Sequence, residues 1–232
     1  MKAFKTVLSL GLVLGLSACV QPEASRSGTP AAGAVSLATK DAPVEMAGKK
    51  VAIPLNVTRV EINVPSTLRV SEADTWYPIA DVVWRGEPRG NRLVQVKAIF
   101  EEAAARGTRD LKSGVAVVAE VEVTRFHCVT EKTRNSIGGV HSLFFKLTIR
   151  DASTGAVLDG PRLVNAEVKA HGGSRAIAED YAGRTQRVVV VERLAQVLHD
   201  ELDALVADPA GFGLVLSSSG HDAGRLVLSA KN

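Results

Sequence analysis

The chain has 232 residues, 46% of them hydrophobic and only 4% aromatic, with a formal charge of +3 and two cysteines. That length and apolar content supply one ordinary hydrophobic core. Mixed charge signs without a basic stretch argue against a nucleic-acid footprint, and two cysteines rule out a disulfide framework.

At the start, Lys2 and Lys5 precede an apolar run from Val7 to Leu16. A membrane span needs about 20 apolar residues to cross roughly 30 Å of hydrocarbon, so a run about half that long reads as a secretion signal. It closes on Leu16-Ser17-Ala18-Cys19, which resembles the lipobox of bacterial lipoproteins. The resemblance implies cleavage before Cys19, a signal peptide over residues 1–18 and acylation of the Cys19 thiol. Each buried methylene contributes about 0.8 kcal/mol, so two or three acyl chains hold a protein durably at a bilayer. Cleavage also removes Lys2 and Lys5, leaving the mature chain nearly neutral. By the same resemblance, Val20 in place of an acidic retention residue favours the outer over the inner membrane, with the domain facing the periplasm.

Residues 19–50 carry the lipidated cysteine and a segment rich in Ala, Pro, Ser, Gly and Thr, which reads as a tether. Thirty such residues span about 30 Å as a coil. A single globular domain is expected over residues 51–207. Val57 to Val64 alternates, with Val60, Ile62 and Val64 on one face, and predicts a half-buried strand ended by Pro65. An irregular connection follows, and Asn91 then offers a cap for a helix carrying Leu93, Val96, Phe100 and Ala103 on one side and closed by Gly107.

Three strand candidates come next. Val115 to Cys128 places Val115, Val117, Ala119, Val121 and Val123 on one face against Glu120, Glu122 and Thr124. His141 to Arg150 places Leu143, Phe145, Leu147 and Ile149 inward. Leu163–Ala170 follows the turn at Asp151 to Gly155. A last helix is expected from Gln186 to about Val206, although Val188 to Val191 is a poor helix former and suits an extended first turn. Residues 208–232 read equally as a tail or a weak hairpin. The fold class is therefore α+β: a mostly antiparallel four-stranded sheet, order β-α-β-β-β-α, with two helices on one face.

No catalytic constellation, cofactor site or metal site is expected. A hairpin centred near residue 137 puts His127 opposite Leu147 and about 20 Å from His141, too far to share a metal. All five histidines read as surface or rim residues. Cys128, in a strand-like run without an activating partner, reads as a small buried or edge residue. The stretch from Trp76 to Gly90 holds both tryptophans beside arginines and prolines. Trp76, Tyr77, Trp84, Arg85 and Arg89 are candidate partner contacts, since Trp and Arg contribute disproportionately to interfaces; the alternative, slightly favoured, is that Trp84 closes the core at the mouth of the first helix.

Val64-Pro65-Ser66-Thr67-Leu68, Asp81-Val82-Val83-Trp84-Arg85 and Pro88 before an amphipathic helix resemble the auxiliary lipoproteins of ABC-type envelope transport systems. Val83-Trp84-Arg85-Gly86-Glu87-Pro88, Val121-Glu122-Val123-Thr124-Arg125-Phe126 and Gly138-Gly139-Val140-His141 are similar to an uncharacterised alphaproteobacterial lipoprotein family. With no catalytic constellation beside them, the leading expectation is a membrane-anchored, non-catalytic binding or assembly module with an envelope protein partner, auxiliary to transport by the first resemblance. The alternative is a carrier or sensor of a lipid-like small molecule between sheet and helices.

Labelling cells with a palmitate analogue tests the anchor: the chain takes up label, and Cys19→Ser abolishes it and moves the protein to the water-soluble fraction. Unlabelled wild-type protein, or protein still bearing Met1, contradicts the reading.

Overall fold

The computed structural model describes residues 51–207, so the expected signal peptide, tether and C-terminal tail lie outside the described residues. The fold is mixed α/β, and the expected four-strand sheet with two helices is an undercount: the described residues form seven strands and four helices. The six expected elements are the long ones. They are β1 (Val51–Asn63), α1 (Arg92–Gly107), β3 (Val115–His127), β4 (Gly139–Asp151), β5 (Val157–Asn165) and α4 (Gln186–Leu202). The unexpected ones are short: β2 (Val82–Val83), α2 (Glu131–Arg134), β6 (Val168–Ala170), α3 (Gly173–Tyr181) and β7 (Ala204–Ala207). Strands of two to four residues and helices of four to nine carry too few repeats for a periodicity to register.

The sheet runs β5-β4-β3-β1-β7, with β2 beside β3 and β6 beside β4. Most pairings are antiparallel, but β1 and β2 lie parallel to β3. The parallel β1–β3 pair needs a long crossover, and α1 lies within it. The Asn91 carboxamide oxygen caps that helix, accepting from the Leu93 and Val94 amides at 3.1 and 3.2 Å.

Alternation holds until a bulge between Val123 and Arg125. One extra residue reverses the parity of a strand, so Phe126 turns inward although strict alternation puts it with Glu120 and Glu122. The same register corrects the histidines. His127 sits opposite Ser142, not Leu147, because the connection folds into α2 and the hairpin is centred nearer residue 134. His127 and His141 therefore lie close along the strands but on opposite faces, and both are buried rather than at the surface.

The expected third strand is divided. Asn165 accepts a hydrogen bond from the Glu167 amide at 2.7 Å, and this turn separates β5 from β6, which pairs with the start of β4. The last helix also differs. Val188 to Val191 is helical from the Thr185 cap onward, because Val190 and Val191 bury against the sheet and packing overrides propensity. It stops at Leu202, not near Val206, and the chain turns into β7 against Val51 to Pro54. Leu205 is thereby buried within the sheet.

One apolar face carries the core. Val117, Ala119, Val121, Leu143, Phe145 and Leu147 from the strands meet Ile99 and Phe100 of α1 and Val191, Leu194 and Leu198 of α4. Phe100 packs edge-on to Phe145 at 5.8 Å between ring centroids. The other face is wet. Among the described residues no helix is long and apolar enough to cross a membrane.

Burial pushes the His141 imidazole down to about 4 from an ordinary 6.5, with the positive Arg134 as a second cause, and its Nδ1 has no partner. The unfolded chain binds this proton near pH 6.5 and the folded one only near 4, so stability falls as pH drops through that window, by up to about 3 kcal/mol. His141→Phe should remove this component. Urea midpoints measured from pH 7 to 4 would show the same slope in both proteins if His141 is not its source.

Candidate functional site

Two arrangements occupy the connection between β1 and α1, one facing inward and one outward. The inward one centres on Trp84, which is fully buried and edge-on to Phe126 at 5.5 Å. A buried indole N–H must find an acceptor. Trp84 Nε1 donates to Glu87 Oε2 at 3.2 Å, and the other carboxylate oxygen of Glu87 accepts from Arg187 Nε of α4 at 2.8 Å. Arg187 continues to Glu102 of α1. Hydrogen bonds first to Glu87 and then to Glu102 outweigh the burial that would lower the Arg187 pKa, and raise it above its ordinary value.

A second set of arginines closes the same loop. The Arg92 side chain, only 2% exposed, donates from Nε and Nη2 to the two oxygens of Glu72 at 2.6 and 3.1 Å. Its Nη1 donates to the carbonyls of Glu87 and Pro88 and to Gln95 Oε1. Arg85, 7% exposed, donates to Glu72 Oε2 at 2.7 Å. The fork of Arg92 on Glu72, helped by the Arg85 and Arg89 charges, holds that carboxylate below its ordinary range.

The outward arrangement is the segment from Asp74 to Ile79. Trp76 is 52% exposed, Tyr77 65% and Ile79 87%. Its backbone is nevertheless held at several points. Thr130 Oγ1 donates to the Thr75 carbonyl at 2.8 Å and Thr133 Oγ1 to the Trp76 carbonyl at 2.9 Å. The Asp74 carboxylate accepts from the Lys132 amide at 3.0 Å, and His127 Nε2 meets the Pro78 carbonyl at 2.9 Å. The His127 ring stacks against Tyr77 at 4.4 Å, and burial keeps its pKa below the ordinary value. Arg125 donates to the Tyr77 hydroxyl at 2.6 Å, and the Lys132 ammonium lies 4.9 Å from the Trp76 ring centroid.

Of the five residues expected as partner contacts, Trp76, Tyr77 and Arg89 are exposed, while Trp84 and the Arg85 side chain belong to the interior clamp. Leu16, Ser17, Ala18 and Cys19 lie outside the described residues. The sequence reading missed Ile79, Arg125, Lys132 and the two threonines. Ile79 lies in the loop itself; the other four stand about 50 residues from the loop they hold, and no local pattern links them.

The wet sheet face has a depression of about 350 Å³ lined by Glu61, Glu120, Glu122 and Lys146. Its acids are already paired: Glu61 with Arg59 at 2.7 Å, Glu120 with Arg150 at 2.6 Å and Glu122 with Lys146 at 2.9 Å. No group of three His, Cys, Asp or Glu among the described residues is placed to hold a metal. Cys128 is buried, which raises its thiol pKa well above the ordinary value and leaves it unreactive.

The model of a family of unknown function, DUF6778, matches residues 55–215. The chain belongs to DUF6778. In this DUF6778 chain the segment Trp84-Arg85-Gly86-Glu87-Pro88 has a structural explanation, each residue serving the inward clamp. No curated protein matches the chain. A crystal structure of protein XCC0632 from Xanthomonas campestris, of the family DUF330, is similar at a TM-score of 0.38 and 14% identity, covering 68% of this chain and 86% of that one. A likeness of that degree adds nothing on function.

Gly86 gives the clamp a direct test. A Cβ there would lie 2.3 Å from Cη2 of the Trp84 ring, so Gly86→Ala must displace the indole. Overpacking of this kind costs about 1–3 kcal/mol. Chemical denaturation and the Trp84 emission maximum should both shift, and an unchanged midpoint would refute the packing argument.

Proposed function

We propose that this protein is a lipid-anchored envelope lipoprotein acting as a non-catalytic binding or assembly module, facing the periplasm from the outer membrane. Its partner docks on the Trp76 to Ile79 loop. The observation that carries this is the combination of exposure and fixation in that loop. Large apolar side chains left in water cost free energy that covering them recovers. A loop already fixed by hydrogen bonds from β3 and α2 loses little entropy when it is covered. Aromatic side chains in such a setting are typical binding hot spots.

The lipobox resemblance at Cys19 and the tether-like composition of residues 19–50 support the anchor and the compartment. A role auxiliary to transport rests on the resemblance alone. The other reading, a lipid-like ligand between sheet and helices, would need space where Phe100, Phe126, Phe145, Leu194 and Leu198 are all buried in one cluster. That packing favours the docking reading.

The test is affinity purification of the lipidated chain from its native membrane. Trp76→Ala with Tyr77→Ala should lower recovery of a reproducible partner about 30-fold, equivalent to losing roughly 2 kcal/mol at a hot spot, while the thermal midpoint stays put. Trp84→Ala should instead destabilise the fold by about 3–5 kcal/mol. Recovery of the chain alone, or of the same partner with the double variant, removes the proposal.

A further inference from the structure

The charges around the exposed aromatic loop are unevenly satisfied. Its acids are engaged: Glu72 by Arg92 and Arg85, Asp74 by the Lys132 amide and Asp81 by Arg69 at 3.2 Å. The two cations that touch the aromatic rings are not. Arg125 bonds the Tyr77 hydroxyl and Lys132 sits over Trp76, and neither has a carboxylate partner among the described residues. Among the described residues, Glu131 at the start of α2 and Asp74, which accepts only from a backbone amide, are the nearby acids without an ion pair.

The Arg125 to Tyr77 bond has a directional consequence. The phenol oxygen accepts from the guanidinium, so its own proton remains free to donate. The Arg125 guanidinium and the Tyr77 phenol O–H at one ring, and the Lys132 ammonium at the other, therefore offer donors on the loop that exposes Trp76 and Ile79. A carboxylate takes two or three such donors at once.

Resting on the docking reading above, we infer that the partner is a protein segment carrying an acidic side chain next to an apolar one, the carboxylate seated at Tyr77, Arg125 and Lys132 and the apolar residue against Trp76 and Ile79. An anionic membrane surface fits less well. Each basic residue contributes about 1 kcal/mol at such a surface, and headgroup recognition draws on four to eight of them; here two touch the loop's exposed rings. A fixed loop with directional donors suits one carboxylate better than a fluid layer of phosphates.

Site-specific photocrosslinking in intact cells tests this, with a photoreactive amino acid at Ile79 of the full lipidated chain and adducts sequenced by mass spectrometry. A protein adduct should form on a segment containing Asp or Glu. Arg125→Glu with Lys132→Glu should lower its yield at least about tenfold at an unchanged thermal midpoint, whereas Arg125→Lys with Lys132→Arg should retain it. Reversing the partner's acid to Lys should then restore the adduct to the doubly reversed chain.

An adduct indifferent to the reversal overturns the acidic-partner inference and leaves the docking reading standing. An adduct to phospholipid also overturns it. Absence of any adduct, from Ile79 or from the same group placed at Tyr77, removes both.

Discussion

Burying the Trp84 indole sets constraints that pass through the whole domain. The ring is fully buried edge-on to Phe126, and its N–H cannot be left without an acceptor there. Glu87 supplies one, and a carboxylate so placed needs a cation, which comes from Arg187 on α4. Arg187 in turn bonds Glu102 on α1. One apolar side chain thus ties the β1–α1 connection to both long helices. Position 86 must be glycine, because the indole occupies the place of any Cβ there.

This clamp also explains how an exposed loop can be rigid. Arg92 and Arg85 grip Glu72 at one end, and hydrogen bonds from Thr130, Thr133 and His127 fix the segment from Thr75 to Pro78. Residues Trp76 to Ile79 are left with little freedom and much apolar surface in water. The two sheet faces show the contrasting solutions to burial. One is sealed by α1 and α4, and the other is covered by crossed ion pairs that solvent screens and that contribute little individually. The aromatic loop adopts neither, and this makes it the candidate contact surface.

The sequence was most legible where a pattern repeats. The order of the long elements, the Asn91 cap, the inward valines of β3 and the wet glutamates opposite them follow from periodicity and local hydrogen-bonding chemistry. Legibility failed at single-residue irregularities. The bulge after Val123 reverses the parity of β3, places Phe126 in the core and moves His127 to a register no alternation predicts. The site was half legible. Two tryptophans in an aromatic-poor chain marked the segment, but nothing local separated exposed Trp76 from buried Trp84, or attached Arg125 and Lys132 to rings about 50 residues away.

What the sequence determined by itself was the apolar stripe of most of the long elements, the positions where the two long helices start, and a lipobox-like end to an apolar run too short to span a bilayer. These depend on neighbours within a few residues, so the chain states them locally. The tertiary structure alone decided that β1 runs parallel to β3, that the chain after Leu202 leaves its helix to pair with Val51 to Pro54, and that one tryptophan faces inward while the other meets water. Those outcomes depend on which distant backbone edge stands unpaired and on which cavity an indole can fill, and both exist only once the chain has folded.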